Sequence, residues 1–230
     1  IFFIYEYYKY LDKKNFIRLI LLSVSLSVPA LIYFYYLFFN TVFANALSSF
    51  GGLNYINTSV QILNIILVYT LIIIILSIKE FLFYLNNNKI KFIFFSFIFL
   101  IIYLINDIFF LSTQSIPTSG GGIIFKLFYI INLDNISYLY ITSLISFIFI
   151  DFIFANNRKF NYMILIIIIL SLPLNIIFQK YLDTLIFIIL FGFVRSKIIY
   201  NLLIEKNKLK YLYLYFFSCF AVALIYYYNI

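Results

Sequence analysis

Hydrophobic residues run along this chain in long blocks that would be apolar on every side of a helix. Such a helix has no polar face to turn toward water, so it suits a protein interior or a lipid bilayer rather than a soluble surface. Crossing a bilayer core of about 30 Å takes about 20 apolar residues in a helix. The pattern predicts seven such helices, over residues 17–39, 60–78, 92–111, 136–154, 162–178, 184–194 and 211–228. The sixth is the shortest. Its apolar run stops at Arg195, and it reaches spanning length only by continuing toward Ile204, with Arg195 and Lys197 stretching to the interface. Asn86, Asn87 and Asn88 mark a turn between the second and third blocks. Tyrosines crowd both ends of the chain, as interfacial aromatic belts do.

The basic residues test this division. Cations collect in short loops on the cytoplasmic side of membrane proteins. With seven spans and the N-terminus inside, the inward segments hold fourteen of the sixteen Lys and Arg residues. The outward segments hold only Lys126 and Lys180. Span list and charge bias therefore support one orientation, N-terminus in and C-terminus out. The formal net charge of +8 follows from the same placement. These cations sit at block ends with no contiguous basic face, which predicts contact with anionic membrane lipids and no nucleic acid partner.

Composition narrows the function classes. Of 230 residues, 66% are hydrophobic and only 10% charged, whereas soluble domains carry about 25% charged residues. A single Cys excludes a disulfide scaffold and a Cys-based metal cluster. The absence of His excludes His-ligated metals, His general bases and Ser-His-Asp chemistry. No metal site and no cofactor is expected. The reading is an all-α, polytopic helix bundle, one transmembrane domain over residues 1–230, in a bacterial inner membrane or an organelle or ER membrane. The first residue is Ile, and the chain reads as the C-terminal part of a longer membrane protein.

Candidate chemistry lies in the outward segments. The first, residues 40–59, carries no charge, and Gly51 and Gly52 suit either a turn or the wall of an outward cavity. The second runs through Pro117 to Gly120, Gly121 and Gly122, then nine mostly apolar residues containing Lys126, then Asn132 and Asp134. This predicts a loop entering a helix too short to span. Free N–H groups at such a helix start attract an anion, and Lys126 one turn along adds a point charge. A phosphate of a lipid-linked substrate would fit; a mobile loop with a surface lysine fits as well. Asp107, Asp134, Lys180 and Asp183 fall on the same side, either as a functional group or because charges collect at interfaces. Asp151 is expected to form an interfacial ion pair with neighbouring Arg158 and Lys159. Pro173, followed by Asn175, is expected to kink the fifth span. Cys219 reads as a small apolar filler.

The stretch Ile177-Phe-Gln179-Lys180-Tyr181-Leu182-Asp183-Thr-Leu-Ile-Phe-Ile-Ile-Leu resembles the C-terminal region of polytopic GT-C-type glycosyltransferases. It is most similar to the alpha-1,2-glucosyltransferases that add the terminal glucose to dolichol-linked oligosaccharide. There an aromatic outward turn precedes a short span, a basic cytoplasmic segment and one last span. The resemblance covers at most the last 120 residues. It implies transfer of a sugar from a polyprenyl-phosphate donor on the outer face of the membrane, with inversion. It makes Gly121, Gly122, Lys126, Lys180, Tyr181 and Asp183 candidates for donor contact. The chain departs from the family in having no His and no charge in its first outward loop, so the resemblance implies that the catalytic half lies outside this chain.

Three other classes remain open: an envelope polysaccharide polymerase or flippase, an organelle-encoded respiratory subunit, and a transporter. A polymerase would carry Arg in its outward loops, whereas both outward cations here are Lys. A respiratory subunit would carry ionisable residues in mid-span, and a transporter paired broken helices. The glycosyltransferase reading predicts that the genomic sequence upstream of Ile1 continues in frame through further spans, with an acidic residue in their first outward loop. A start codon at or just before Ile1 would favour the respiratory or transport readings.

Overall fold

The computed structural model describes residues 13–38, 55–109, 122–131, 137–171 and 179–228. Among them the fold is all-α. The helices are α1 (Lys13–Phe38), α2 (Tyr55–Leu76), α3 (Ile78–Asn87), α4 (Lys89–Phe109), α5 (Gly122–Ile130), α6 (Ser137–Ile153), α7 (Arg158–Ser171), α8 (Gln179–Ile188), α9 (Lys197–Ile204) and α10 (Lys206–Tyr228). A π-helical turn, Ile189–Phe193, extends α8. Most of the outward segments, residues 39–54, 110–121 and 132–136, lie outside the described residues, as do Pro173 and Asn175.

Helix α2 is the hub. It packs most extensively on α6 and also touches α5, α7, α8, α9 and α10. A helix surrounded on all sides must be apolar on all sides, and α2 supplies Ile62, Leu63, Ile65, Ile66, Ile72 and Ile73 to the core. Yet its buried residues also include Asn57, Thr58, Gln61, Asn64 and Thr70. These polar groups are not solvated, so protein atoms must satisfy them.

The α2–α6 seam shows how. Asn64 Nδ2 donates to the Val60 carbonyl of its own helix at 2.8 Å, to the Leu139 carbonyl at 3.0 Å and to Ser143 Oγ at 2.8 Å. Thr142 Oγ1 donates to Asn64 Oδ1. Ser143 Oγ lies 3.1 Å from the Val60 carbonyl, and Ser146 Oγ donates to the Leu63 carbonyl. Serine hydroxyls can reach the backbone of the facing helix only when the two backbones lie close, which small residues at 143 and 146 allow.

Outside, the polarity is reversed. Helix α4 turns Phe95, Phe99 and Tyr103 toward α6, where they meet Phe147 and Tyr140. Its opposite stripe, Ile90, Ile93, Phe94, Phe97, Leu100 and Leu104, is exposed, with Ile90 at 86%. Leu214, Phe217 and Phe220 of α10 are exposed in the same way. Both faces of these helices are apolar, as their sequences demanded, and only one of them is covered by protein.

Spans and helices agree in part. Among the described residues, α2 is the one helix long and apolar enough on its own to cross a membrane. The bent pair α3 and α4 becomes a second if taken as one span, and Ser137–Ile153 and Leu182–Phe193 are apolar but shorter. The described helices therefore do not supply the seven full spans that the sequence predicts. At 1.5 Å per residue, the 17 described residues of α6 and the 14 of α7 cover less than a 30 Å core, and residues 132–136 and 172–178 beside them lie outside the described residues. Helices α1 and α10 have the length, at 26 and 23 residues, and each begins in a basic turn.

Two connections also differ from expectation. Residues 78–87, expected to lead into an asparagine turn, form a helix of their own that meets α4 at 84°. Ser77 ends α2, its Oγ donating to the Ile73 carbonyl at 2.6 Å. Asn88 makes the bend, its Nδ2 donating to the Tyr84 carbonyl at 2.8 Å. The sixth block does not continue toward Ile204. It ends in the π-turn, the chain extends through Val194–Ser196, and α9 starts afresh. Buried Asn161 holds this break: its Nδ2 donates to the Arg195 carbonyl at 3.1 Å and its Oδ1 accepts from the Arg195 N–H at 3.0 Å.

If the seam fixes the helix spacing, Ser146→Ala should cost about 1 kcal/mol or less, the usual size of an interhelical hydrogen bond among apolar helices. Ser146→Leu should cost about 1–3 kcal/mol by forcing α2 and α6 apart. Unfolding midpoints of the two variants in detergent, compared with the parent, check this order.

Candidate functional site

Two places concentrate chemistry, at opposite ends of the bundle. The first is built on Asp151, in the last turn of α6. Its side chain is 0% exposed. An isolated buried carboxylate is prohibitively costly, so partners must surround it. They come from three other helices. Lys91 Nζ of α4 lies 2.6 Å from Oδ1 and also reaches Oδ2. Tyr84 of α3 donates to Oδ2 at 2.6 Å, and Tyr162 of α7 to Oδ1 at 2.6 Å. Arg158 of α7 sits at 3.7 Å through Nε, and its Nη2 donates to the Tyr84 hydroxyl at 2.7 Å.

The expected pair with Arg158 is therefore present, within a larger node. Lys159 is exposed. Sequence reasoning missed Lys91, Tyr84 and Tyr162, because their approach depends on the 84° bend between α3 and α4 and on how α4 and α7 lie against α6. Aromatic rings seal the node: Tyr84 packs on Phe92 and Phe152, and Lys91 Nζ lies 5.0 Å from the centre of the Phe95 ring. Two cations face one carboxylate. Burial, the hydrogen bond to Asp151 and that carboxylate's charge push the Tyr84 hydroxyl up to about 12.

The same end gathers segments far apart in sequence. Lys91 and Arg158 meet at Asp151, and the Arg195 guanidinium lies 4.4 Å from the centre of the Phe160 ring, beside Asn161. Three of the segments with an expected inward position, the residues around 79–91, 158–159 and 195, thus share one end of the fold.

The second place holds the residues predicted to contact a donor. Gly121 lies outside the described residues. Gly122 opens α5 and is buried, with φ of 85°, a conformation that a side chain would strain. Lys126, one turn along, is partly buried. Lys180 and Tyr181 lie in the first turn of α8, with Asp183 just beyond. Helices α5 and α8 pack against each other and both rest on α2. The fold thus brings the two predicted segments, more than fifty residues apart, onto adjoining helices. Among the described residues, Oδ1 of Asp183 is buried and has no hydrogen-bond partner. Asp134 lies outside the described residues. No group of three or more Cys, Asp or Glu side chains that could hold a metal gathers among the described residues.

Replacing Asp151 by Asn removes the one carboxylate facing Lys91 and Arg158. Breaking a buried pair costs about 3–5 kcal/mol, and the lower end is expected here because both cations keep partial exposure. Chemical denaturation in detergent measures it. The Tyr84 proton gives a second test. Between about 10 and about 12 the folded chain keeps a proton that the unfolded chain has lost, so stability should fall as pH rises through that window. Tyr84→Phe should flatten the slope.

Comparison with known proteins finds no matching family model, no similar curated protein and no similar solved structure.

Proposed function

We propose that this chain is a multi-pass integral membrane protein, oriented with its N-terminus inside, whose outer end holds a lipid-linked sugar donor for a glycosyltransferase-type reaction. The membrane part of this reading rests on the distribution of polarity. Asn64, Ser143, Ser146, Asp151 and Asn161 are buried, while Ile90, Ile93, Phe94, Phe97, Leu214 and Phe217 face outward. Water would reverse that arrangement; acyl chains favour it. Clustering of Lys91, Arg158 and Arg195 at one end supports the orientation, because a cytoplasmic face is where cations gather.

The sugar-transfer part is carried by one observation: a buried carboxylate oxygen without a partner among the described residues, Asp183 Oδ1, on the helix that packs against α5. An acceptor of this kind is expensive unless something donates to it. Sugar hydroxyls are donors of suitable size. Lys126, on the adjoining helix, supplies the positive charge that a donor phosphate needs. In this arrangement Asp183 orients the sugar and Lys126 holds the phosphate.

Two experiments test the two parts separately. Cys219 is the sole cysteine, so Cys219→Ala gives a background for single-cysteine labelling in sealed vesicles. A cysteine at position 89 should be protected from an impermeant maleimide that labels position 126. Labelling of both from one side overturns the orientation. Separately, the purified protein should bind a polyprenyl-phosphate sugar, and Asp183→Asn or Lys126→Ala should each weaken binding about tenfold or more, the usual loss for a hydrogen bond to a charged group. Unchanged affinity in both variants overturns the sugar reading and leaves the membrane reading standing.

A further inference from the structure

The elbow between α3 and α4 flanks a shallow, widely open cleft of about 520 Å³ lined by Leu82, Leu85, Asn86, Lys89, Phe92 and Ile93. We propose that this cleft binds one anionic phospholipid, its phosphate on Lys89 and Asn86 and its acyl chains along Leu82 and Ile93. The inference rests on the membrane reading above and is independent of the sugar-transfer reading.

The cleft is two-sided in the way a phospholipid is. At its polar end Lys89 is exposed and pairs with no acidic side chain among the described residues. It stands at the start of α4, where the helix dipole adds positive potential for a phosphate. The apolar walls continue directly into the exposed stripe of Ile93, Phe97, Leu100 and Leu104, which gives acyl chains an uninterrupted path along α4. The 84° bend sets α3 across the axis of α4. If α4 crosses the bilayer, α3 lies along its surface. The composition of α3 suits that position: Ile78, Leu82 and Phe83 are exposed beside Lys79, Glu80, Asn86 and Asn87.

Charge decides between lipid classes. Among the described residues, the two segments at the elbow, 78–91 and 158–159, carry Lys79, Lys89, Lys91, Arg158 and Lys159 against Glu80 and Asp151. Asp151 is already shared by Lys91 and Arg158. The surplus is positive, so a zwitterionic headgroup leaves it uncompensated and an anionic one neutralises it. The surface also lies at the end of the bundle that the charge bias assigns to the cytoplasmic leaflet, where anionic lipids are concentrated.

The test uses the full chain in detergent micelles, titrated with phosphatidylglycerol, with phosphatidylcholine and with soluble glycerol 3-phosphate, and reads thermal stability and native mass spectra. Phosphatidylglycerol should raise the melting temperature and leave one retained lipid per chain, whereas the other two should do neither. Lys89→Gln should weaken retention about fivefold, the effect of one lysine near an anionic surface. Ile93→Ser should weaken it further by making the acyl wall polar, while Lys197→Gln, on a different helix, should leave it unchanged. Equal retention of phosphatidylcholine, or an unchanged Lys89→Gln variant, overturns the site. A response to glycerol 3-phosphate alone points to a free-phosphate site and overturns the lipid assignment. Extraction of the chain from vesicles by alkaline carbonate would instead show failure of the membrane reading itself.

Discussion

Polar groups buried along α2 and α6 are satisfied mostly by other protein atoms, and that constraint shapes the structure around α2. Asn64 gives its amide protons to the Val60 and Leu139 carbonyls and to Ser143, and takes a hydrogen from Thr142. Ser143 and Ser146 reach across to α2 backbone carbonyls. Individually these bonds are worth little among apolar helices, about 0.6 kcal/mol on average. Together they fix which face of α6 meets α2 and how closely, and an uncompensated group would cost more than any one bond returns. With that spacing set, α5, α7, α8, α9 and α10 take the remaining faces of α2.

The same rule explains the two irregular places. At Val194–Ser196 the chain leaves the helix, and Asn161 replaces the lost backbone pairing at Arg195 with both ends of its amide. At Asp151 the cost is charge rather than backbone, and four side chains from three helices share it. The node therefore ties α3, α4 and α7 to the end of α6. It also explains why an acidic residue so close to apolar sequence is structural here. Asp183 is the contrast: one of its oxygens is enclosed and has no donor among the described residues.

Helix existence was largely legible. The apolar blocks at 17–39, 60–78, 92–111 and 136–154 each overlap a described helix over most of their length, because a stretch without polar residues satisfies its backbone most readily as a helix. The short helix after the glycines was legible too, since Gly122 can take the positive φ that starts it. Helix ends were not. Nothing in the composition of residues 78–87 separates a loop from a surface helix, and nothing at Arg195 shows that Asn161, 34 residues earlier, would end the eighth helix there.

The sequence by itself determined an all-helical chain with apolar faces on every side, a strong bias in the placement of its cations, and no His and hardly any Cys for chemistry. Those properties depend on which residues are present and where they fall along the chain. Tertiary structure alone decided which polar residues meet. The partners Lys91, Tyr84 and Tyr162 of Asp151, the seam of Asn64 with Ser143, and the packing of α5 on α8 all join positions distant in sequence. A helix that is apolar all round carries no periodic mark of its contact face, so its rotation and neighbours are fixed only when the whole bundle packs.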